Sequence, residues 1–336
     1  MNLSRMPVKA HHHCRGFSLV ELMVAMVITL ILLAGIGQIF LSSKKSYTLQ
    51  DSLSRIQETG RYAMDTLTQD LRRAGYWGGN SDINEITGTQ TKYNEDGNCL
   101  GSGDTKWARM LDKKVFGLDD NRTNYPCLPT TTLPAQDVLV VRFAAPWQVG
   151  GITTPDFGTT DFNANYLNQF FLRSSLFEGR LFIGSEGSDP ANDITAAGVR
   201  TSELVSRVYF VNPATTSGTG KCGGGTMPSL FRLGLVNGSP TVEEVAYGVE
   251  RLQVQYGLDI PPQDGSVDSY VDANADPAAA MWDQIIAVRI WLLVRAECPD
   301  HSYTNTTIYS MAGADLPAFN DNYRRKLYTS TVRLRN

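Results

Sequence analysis

An uncharged apolar run of 22 residues near the N-terminus constrains this chain more than any other feature. The run extends from Leu22 to Ser43 and contains no Asp, Glu, Lys or Arg. At about 1.5 Å of rise per residue, a helix of this length measures about 33 Å, which is enough to cross the hydrocarbon core of a bilayer. The run therefore predicts a membrane-spanning helix.

The segment before the run differs from a secretory signal that is cleaved after its apolar region. Such signals have an apolar region of about 7 to 15 residues with a small-residue cleavage site behind it, and the run is longer than that. Residues 1–16 are polar, carry three basic residues and no acidic one, and end at Gly16. We therefore expect a cytoplasmic leader, with any processing site between Gly16 and Phe17. Basic residues also follow the span, at Lys44 and Lys45, and we still place the leader in the cytoplasm.

Glu21 stands at the start of the predicted span, where a carboxylate that enters lipid is costly. The cost is about 3 kcal/mol at the middle of a spanning helix and less near the interface, so such an acid suggests a charged partner. Cleavage after Gly16 would create an amino group on Phe17, and this group and the carboxylate carry opposite charges at neutral pH. A carboxylate four residues along does not easily fold back onto its own terminus, whereas the amine of an adjacent, axially shifted helix could meet it. We therefore expect Glu21 to set the stagger of an assembly; in an ordinary signal anchor it would be incidental.

The sequence GFSLVE, residues 16–21, followed by a long apolar helix, resembles the processing site of type IV prepilins and type II secretion pseudopilins. In that superfamily the prepilin peptidase cuts after the glycine and methylates the new N-terminus, and the glutamate at the fifth mature position guides subunit docking. The resemblance implies these roles for Gly16, Phe17 and Glu21.

The cysteines predict disulfides in the part of the chain that would be translocated. Of five cysteines, one lies in the leader, which leaves Cys99, Cys127, Cys222 and Cys298. An even number in an oxidising compartment predicts two disulfides, with three connectivities open. We favour Cys99 with Cys127 and Cys222 with Cys298, because the two loops then do not cross. Four buried thiols are the alternative.

A helical pattern continues beyond the span and should stop at Gly75. Apolar residues recur at spacings of three and four over residues 49–71, opposite a polar face that includes Asp65 and Asp70. We expect one continuous helix of more than about 50 residues, whose outer half needs a surface to pack on. Two separate helices are the alternative, because Gly60 and glycines in the span weaken helix formation.

From Tyr76 onward, short strand candidates alternate with loops rich in Gly, Asn, Asp and Thr. Residues 249–259 and 283–297 alternate between apolar and polar positions, which is typical of antiparallel strands with one wet face. A long helix on antiparallel sheet gives an α+β architecture. Other strand candidates are DVLVVRF, GRLFIG, LVSRVYFV, SLFRLGL and YRRKLYTSTVRLRN. The expected segments are a leader at 1–16, a hydrophobic transmembrane and assembly helix at 17–43, its amphipathic continuation at 44–75 and a β-rich globular domain at 76–336.

The C-terminal third narrows the resemblance. EEVAYGVERLQVQYGLD, DGSVDSY, MWDQIIAVRIWLLVR and YRRKLYTSTVRLRN resemble the PilW-type minor pilins and occur in the order that this family shows. Such minor pilins are low-copy subunits that join other minor pilins in a complex that primes pilus assembly and lies at the tip. We expect residues 81–200, which match no family that we identify, to carry strain-specific or adhesive surface.

The resemblance implies a type IV pilin-like fold and a defined location. The chain would cross the inner membrane once, with its N-terminus cytoplasmic and its C-terminal domain periplasmic, and would later join a pilus at the cell surface. Its partners would be the prepilin peptidase, other minor pilins, the major pilin, the inner-membrane assembly platform and any tip adhesin, in support of motility, adhesion or DNA uptake. The alternatives are a J-type minor pseudopilin of type II secretion and a signal-anchored periplasmic binding or adhesive protein that does not polymerise.

Charge and histidine content argue against other classes of function. Without the three basic residues of the leader, 27 Lys and Arg stand against 34 Asp and Glu, a balance of −7 that disfavours nucleic acid as a direct ligand. Three of the four histidines lie in the leader, so His301 alone would have to serve a catalytic triad or a metal site. GTGKCG, residues 218–223, fits a dinucleotide motif only formally, because more glycine and a proline follow it instead of a helix. We expect no catalytic residue and no cofactor.

One acidic segment offers a weak calcium candidate. Asp272, Asn274 and Asp276 have the alternating spacing of oxygen ligands in a calcium loop. Pro277 occupies the position of the turn glycine, and the distal glutamate is missing. We favour a solvated acidic loop and expect no metal there.

Overall fold

A computed structural model describes residues 16–80, 82–88, 104–120, 136–146, 166–186, 198–213, 227–273 and 281–334, with Leu128, Ile194 and Cys222. The chain forms two compact units, Met1–Asp51 and Ser52–Asn336. The leader up to residue 15 lies outside the described residues, as do residues 335 and 336.

The helix α1 spans Leu19–Arg73 and contains 55 residues, so the expectation of one long helix is confirmed. In the first unit its large apolar side chains are exposed all the way from Phe17 to Leu41, each by at least 51%. Among the described residues, α1 is the one helix whose length and hydropathy would suffice to cross a membrane. The first unit is thus an apolar helical rod whose surface is not covered by this chain's own described side chains.

The outer part of α1 is amphipathic and ends where the sequence predicts. Its buried face includes Ile56, Ala63, Leu67 and Leu71, each 2% exposed or less. These side chains belong to the same core as the strands of the second unit, and burying a leucine side chain fully stabilises a fold by about 1.5–3 kcal/mol. The helix is stopped by Gly75, whose φ of 76° is the left-handed conformation that glycine adopts at helix C-termini.

The rest of the second unit is built from strands, nearly all antiparallel. The described strands are β1 (Ile86–Thr87), β2 (Val115–Leu118), β3 (Val138–Ala144), β4 (Phe170–Ser174), β5 (Gly179–Ile183), β6 (Arg200–Asn212), β7 (Ser229–Val236), β8 (Ser239–Tyr247), β9 (Val249–Leu258), β10 (Ser269–Val271), β11 (Ile285–Arg295), β12 (Tyr309–Met311), β13 (Ala314–Leu316) and β14 (Arg325–Arg333). Every strand candidate of the sequence forms a strand, and the α+β fold class is confirmed.

The larger sheet is organised around the 13-residue strand β6. Eight strands form it, in the order β1-β5-β4-β6-β3-β2, with β7 pairing with both β6 and β8. β6 pairs with β4 along its first residues, with β3 along its middle and with β7 along its last residues. The pair of β1 and β5 is parallel, whereas the other pairs of this sheet are antiparallel.

The smaller sheet has the order β10-β9-β11-β14 and supplies the other wall of the core. Its register places Leu252 opposite Leu292 and Val254 opposite Ile290, and all four side chains are buried. The alternation in residues 283–297 predicts Ile286 on the same buried face as Val288 and Ile290, but the pairing of β11 with β9 shifts between Ile285 and Ala287. Ile285 is therefore fully buried, while the neighbouring Ile286 is only half-buried.

The second face of this sheet is more buried than the sequence predicts. Trp291 and Leu293 point away from the main core, yet they are 8% and 0% exposed. Together with Tyr309 and Met311 they form a separate apolar cluster, which the hairpin of β12 and β13 helps to build. This hairpin follows β11 along the chain and folds back over its second face, and the alternation within β11 does not reveal that cover.

Candidate functional site

The three predicted processing and assembly residues, Gly16, Phe17 and Glu21, lie at the start of α1. The backbone N–H of Ser18 donates a hydrogen bond to Oε2 of Glu21 at 3.0 Å, and the carbonyl of Ser18 accepts from the N–H of Leu22 at 3.2 Å. Ser18 is therefore the N-cap residue of α1. Glu21 accepts a hydrogen bond from one of the backbone N–H groups that the start of a helix leaves without an intrahelical partner. A carboxylate is also favoured there by the helix dipole.

Glu21 folds back within its own first turn, as far as the N–H of Ser18, one residue from Phe17. The signal was present in the sequence, since S-x-x-E at 18–21 is the pattern of a capping box, in which the glutamate reaches back to the backbone. The bond ends at Ser18, so the meeting of Glu21 with the amine of an adjacent helix stays a prediction. A carboxylate has about four acceptor positions, so the bond to Ser18 leaves Glu21 able to accept further hydrogen bonds from a neighbouring molecule.

The predicted cleavage site is open in the described part of the chain. Phe17 is 89% exposed. A Cβ atom on Gly16 would meet no described heavy atom within 4 Å beyond its chain neighbours. The bond between Gly16 and Phe17 is thus accessible, and the carboxylate that would guide docking lies one helical turn beyond it.

A buried ion pair fixes the outer part of α1 to the larger sheet. Asp70 is 2% exposed, and its carboxylate accepts hydrogen bonds from Nη1 of Arg207 at 2.7 Å and from the hydroxyl of Tyr209 at 2.5 Å. Burial raises the pKa of Tyr209 above its ordinary value, and the charge of Asp70 raises it further. The sequence placed Asp70 on the polar face of the helix, which is wrong because β6 brings Arg207 and Tyr209 against that position.

A glycine lets the smaller sheet approach the same helix closely. A Cβ atom on Gly60 would lie 2.2 Å from the ring of Tyr328, which belongs to β14. The hydroxyl of Tyr328 donates to the carbonyl of Ile56 at 3.1 Å. Gly60, which the sequence suggested as a weak point of the helix, is a contact position in the structure.

The cysteines and the calcium candidates fall only partly within the described residues. Cys222 and Cys298 form a disulfide with a Cα–Cα distance of 5.5 Å. Cys99 and Cys127 lie outside the described residues, and so do Asn274 and Asp276. Asp272 is described: its Oδ1 accepts a hydrogen bond from Nε2 of Gln255 at 3.0 Å.

Comparison with known proteins gives two matches to protein families. Residues 208–336 match the family described as Type IV Pilus-assembly protein W, PilW. Residues 11–37 match the prokaryotic N-terminal methylation motif. No curated protein sequence matches the chain.

A solved structure of a type IV-like pilin from Thermus thermophilus is also similar to the chain. The two share 13% sequence identity over 85% of this chain and 95% of the other, with a TM-score of 0.32. The two family matches include the start of α1 and the strands from the later part of β6 to β14, whereas Gly60 and Asp70 lie between the matched ranges. The chain thus contains a region similar to the PilW family, at residues 208–336, and a match to the N-terminal methylation motif, at residues 11–37.

Proposed function

We propose that this chain is a minor pilin that joins other minor pilins to start the assembly of a type IV pilus. It would act in a complex at the tip of the pilus. The observation that carries the proposal is the exposed apolar helix of the first unit, with Glu21 at its start. Apolar surface of this extent needs either lipid or other apolar helices around it. In a chain that moves from the membrane to the filament, lipid would surround this helix first and other apolar helices would surround it afterwards.

Processing would come first in this sequence of events. The prepilin peptidase would cut between Gly16 and Phe17 and methylate the new amino group. Before assembly the chain would be a single-pass protein of the inner membrane, with its second unit in the periplasm. The amino group of Phe17 on an adjacent subunit would then meet Glu21, and the loss of two unpaired charges from the apolar layer would favour that one axial stagger.

The match to PilW favours a pilus over the type II secretion alternative. The partners would be other minor pilins, the major pilin and the assembly platform of the inner membrane, and motility, adhesion or DNA uptake would depend on the resulting filaments. A pilin-like chain also fits a role without catalysis, which agrees with the exposed position of His301.

Variants of Glu21 test this proposal and separate its charge from its capping role. Glu21→Gln keeps the side-chain length and the S-x-x-Q form of the capping box but removes the charge. In a deletion strain complemented with this variant, we expect surface pili to fall to the level of the deletion strain, while the membrane-bound amount of the chain stays unchanged. Glu58→Gln, at an exposed position of the same helix, should restore pili fully.

Two results would overturn the proposal. Full piliation with Glu21→Gln would mean that the charge has no role in assembly, as for a signal-anchored binding protein. If the strain with Glu21→Gln had normal pili but lost protein secretion, the chain would instead be the J-type pseudopilin of a type II secretion system.

A further inference from the structure

Three carboxylates converge where β2 ends and β3 begins. Leu118 pairs with Val138, which places the residues just outside these strands opposite each other. Asp119 and Asp120 follow β2, and Asp137 precedes β3. One carboxylate oxygen from each of the three lies within 4.8 Å of the others. Two oxygens on opposite sides of a Ca²⁺ ion are at most about 5 Å apart, so a single ion could contact all three.

Backbone and side-chain bonds from β9 and from the residues that flank β2 and β3 hold the cluster in place. Asp137 accepts from the N–H of Asp120 at 3.1 Å and from the N–H of Val254, in β9, at 2.7 Å. Nε2 of Gln253 donates to Oδ1 of Asp120 at 3.0 Å. The carboxylates are therefore positioned by the fold, and their oxygens retain further acceptor capacity.

The electrostatics of the cluster disfavour three free anions. Asp137 is 3% exposed, and burial raises its pKa to about 8, with further contributions from the charges of Asp119 and Asp120. Burial also raises the pKa of Asp119, to which the charges of Asp120 and Asp272 add. A cation at the centre would offset this repulsion, since a bound divalent ion is the largest charge in such a site.

An independent observation comes from the buried side of the cluster. The hydroxyl of Tyr256 is buried and has no hydrogen-bond partner in the part of the chain that the structure describes. This hydroxyl lies against Gly117, which is two residues before Asp119. A Cβ atom on Gly117 would be only 1.9 Å from the hydroxyl oxygen. The charges of Asp137 and Asp119 both act on it. A buried hydroxyl left unpaired costs about 1–3 kcal/mol, and a water molecule on a cluster-bound cation would satisfy it.

We propose that Asp119, Asp120 and Asp137 bind a divalent cation of the Ca²⁺ type, with Tyr256 bonded to water on the ion. Carboxylates and water are hard oxygen ligands, which Ca²⁺ accepts in irregular geometry, whereas Mg²⁺ demands a near-ideal octahedron. The ion would tie the end of β2 and the start of β3 to β9. This site differs from the sequence candidate of Asp272, Asn274 and Asp276, although Asp272 adds its negative charge nearby.

Binding can be measured on the full chain in detergent after treatment with EGTA. Tb³⁺ replaces Ca²⁺ at oxygen sites, and excitation of Tyr256 and of Trp282, whose ring centroids are 5.0 Å apart, should sensitise its luminescence. We expect a Tb³⁺ signal that CaCl₂ displaces at concentrations at least about tenfold lower than MgCl₂ does. We also expect CaCl₂ to raise the unfolding temperature, because an ion that binds only the folded state stabilises it.

Paired variants assign the signal to the cluster. Asp119→Asn with Asp120→Asn should abolish both the displaceable Tb³⁺ signal and the CaCl₂ shift, while Asp264→Asn, which removes an exposed acid in the β9–β10 connection, should leave both unchanged. Equal behaviour of the double variant and the wild type would overturn the proposal. So would the absence of any displaceable signal in the wild type, a result that does not depend on whether a variant folds.

Discussion

Asp70 and Glu21 are acids on the same helix with opposite surroundings. Glu21 lies in the exposed first turn and caps its own helix. Asp70 is buried between α1 and β6, where Arg207 and Tyr209 supply its hydrogen bonds. Glu21 can be identified from a local motif, because its neighbours in sequence are its neighbours in space. The role of Asp70 depends on a residue 137 positions away, which periodicity cannot reveal.

We expect Asp70→Ala to lower the free energy of unfolding by about 3 kcal/mol, because it leaves Arg207 partly buried without its partner and the hydroxyl of Tyr209 unpaired. Urea denaturation of the chain in detergent measures this value. Asp65→Ala is the matched control: Asp65 is exposed on the same helix and accepts from Gln69, and its loss should cost less than about 1 kcal/mol. Equal effects of the two variants would contradict the assigned role of Asp70.

Asp300 gives a pH dependence with a defined sign. Hydrogen bonds from the hydroxyl of Ser302 and from Arg324 lower the pKa of Asp300 to about 2 in the folded chain, against about 3.9 in an unfolded one. A lowered pKa contributes stability above about pH 4 that is lost as the pH falls towards 2. Asp300→Asn should therefore destabilise the chain by up to about 1 kcal/mol at pH 6, since the site is open to solvent, and the difference from wild type should shrink between pH 4 and 2.5. A difference that grows on acidification would refute the assignment.

At the scale of elements, the long helix and the strands could be predicted because their hydrophobic periods are regular. The end of α1 follows from Gly75, and the inward faces of β9 and β11 follow from alternation. The branching of β6 among three partners and the cover of Trp291 by the β12–β13 hairpin could not be predicted. Such pairings are chosen by the packing of whole sheets and leave no local pattern.

The disulfide of Cys222 and Cys298 links the β6–β7 connection to the end of β11 and closes a loop of 76 positions. Its removal by Cys222→Ser with Cys298→Ser should lower the free energy of unfolding by about 3–4 kcal/mol, because the unfolded chain regains the freedom of that loop. For a domain of this size the unfolding temperature should fall by roughly 10 °C. In a thermal scan with reductant, wild type and variant should unfold together; a difference that persists there would mean that the serines disturb packing.

At the scale of the whole molecule, one unit buries its apolar residues in a core and the other leaves its apolar residues exposed. The unit from Ser52 onward buries its apolar residues in a core shared by α1 and two sheets. The unit up to Asp51 leaves an apolar helix exposed. The sequence alone predicted the apolar part of this helix, because an uncharged run of 22 residues permits few structures. The proposed cation site, by contrast, uses residues that flank β2 and β3 together with residues of β9, and it becomes visible only in the fold.

We expect processing to create an amino group on Phe17 that allows assembly through Glu21. Intact mass and N-terminal sequencing of the chain, recovered separately from membranes and from sheared surface filaments, tests it most directly. We predict a chain in the filament fraction that begins at Phe17 and carries one additional methyl group on its N-terminus. A chain that keeps residues 1–16, stays in the membrane fraction and is absent from filaments would contradict it, since Glu21 would then have no new amine to meet.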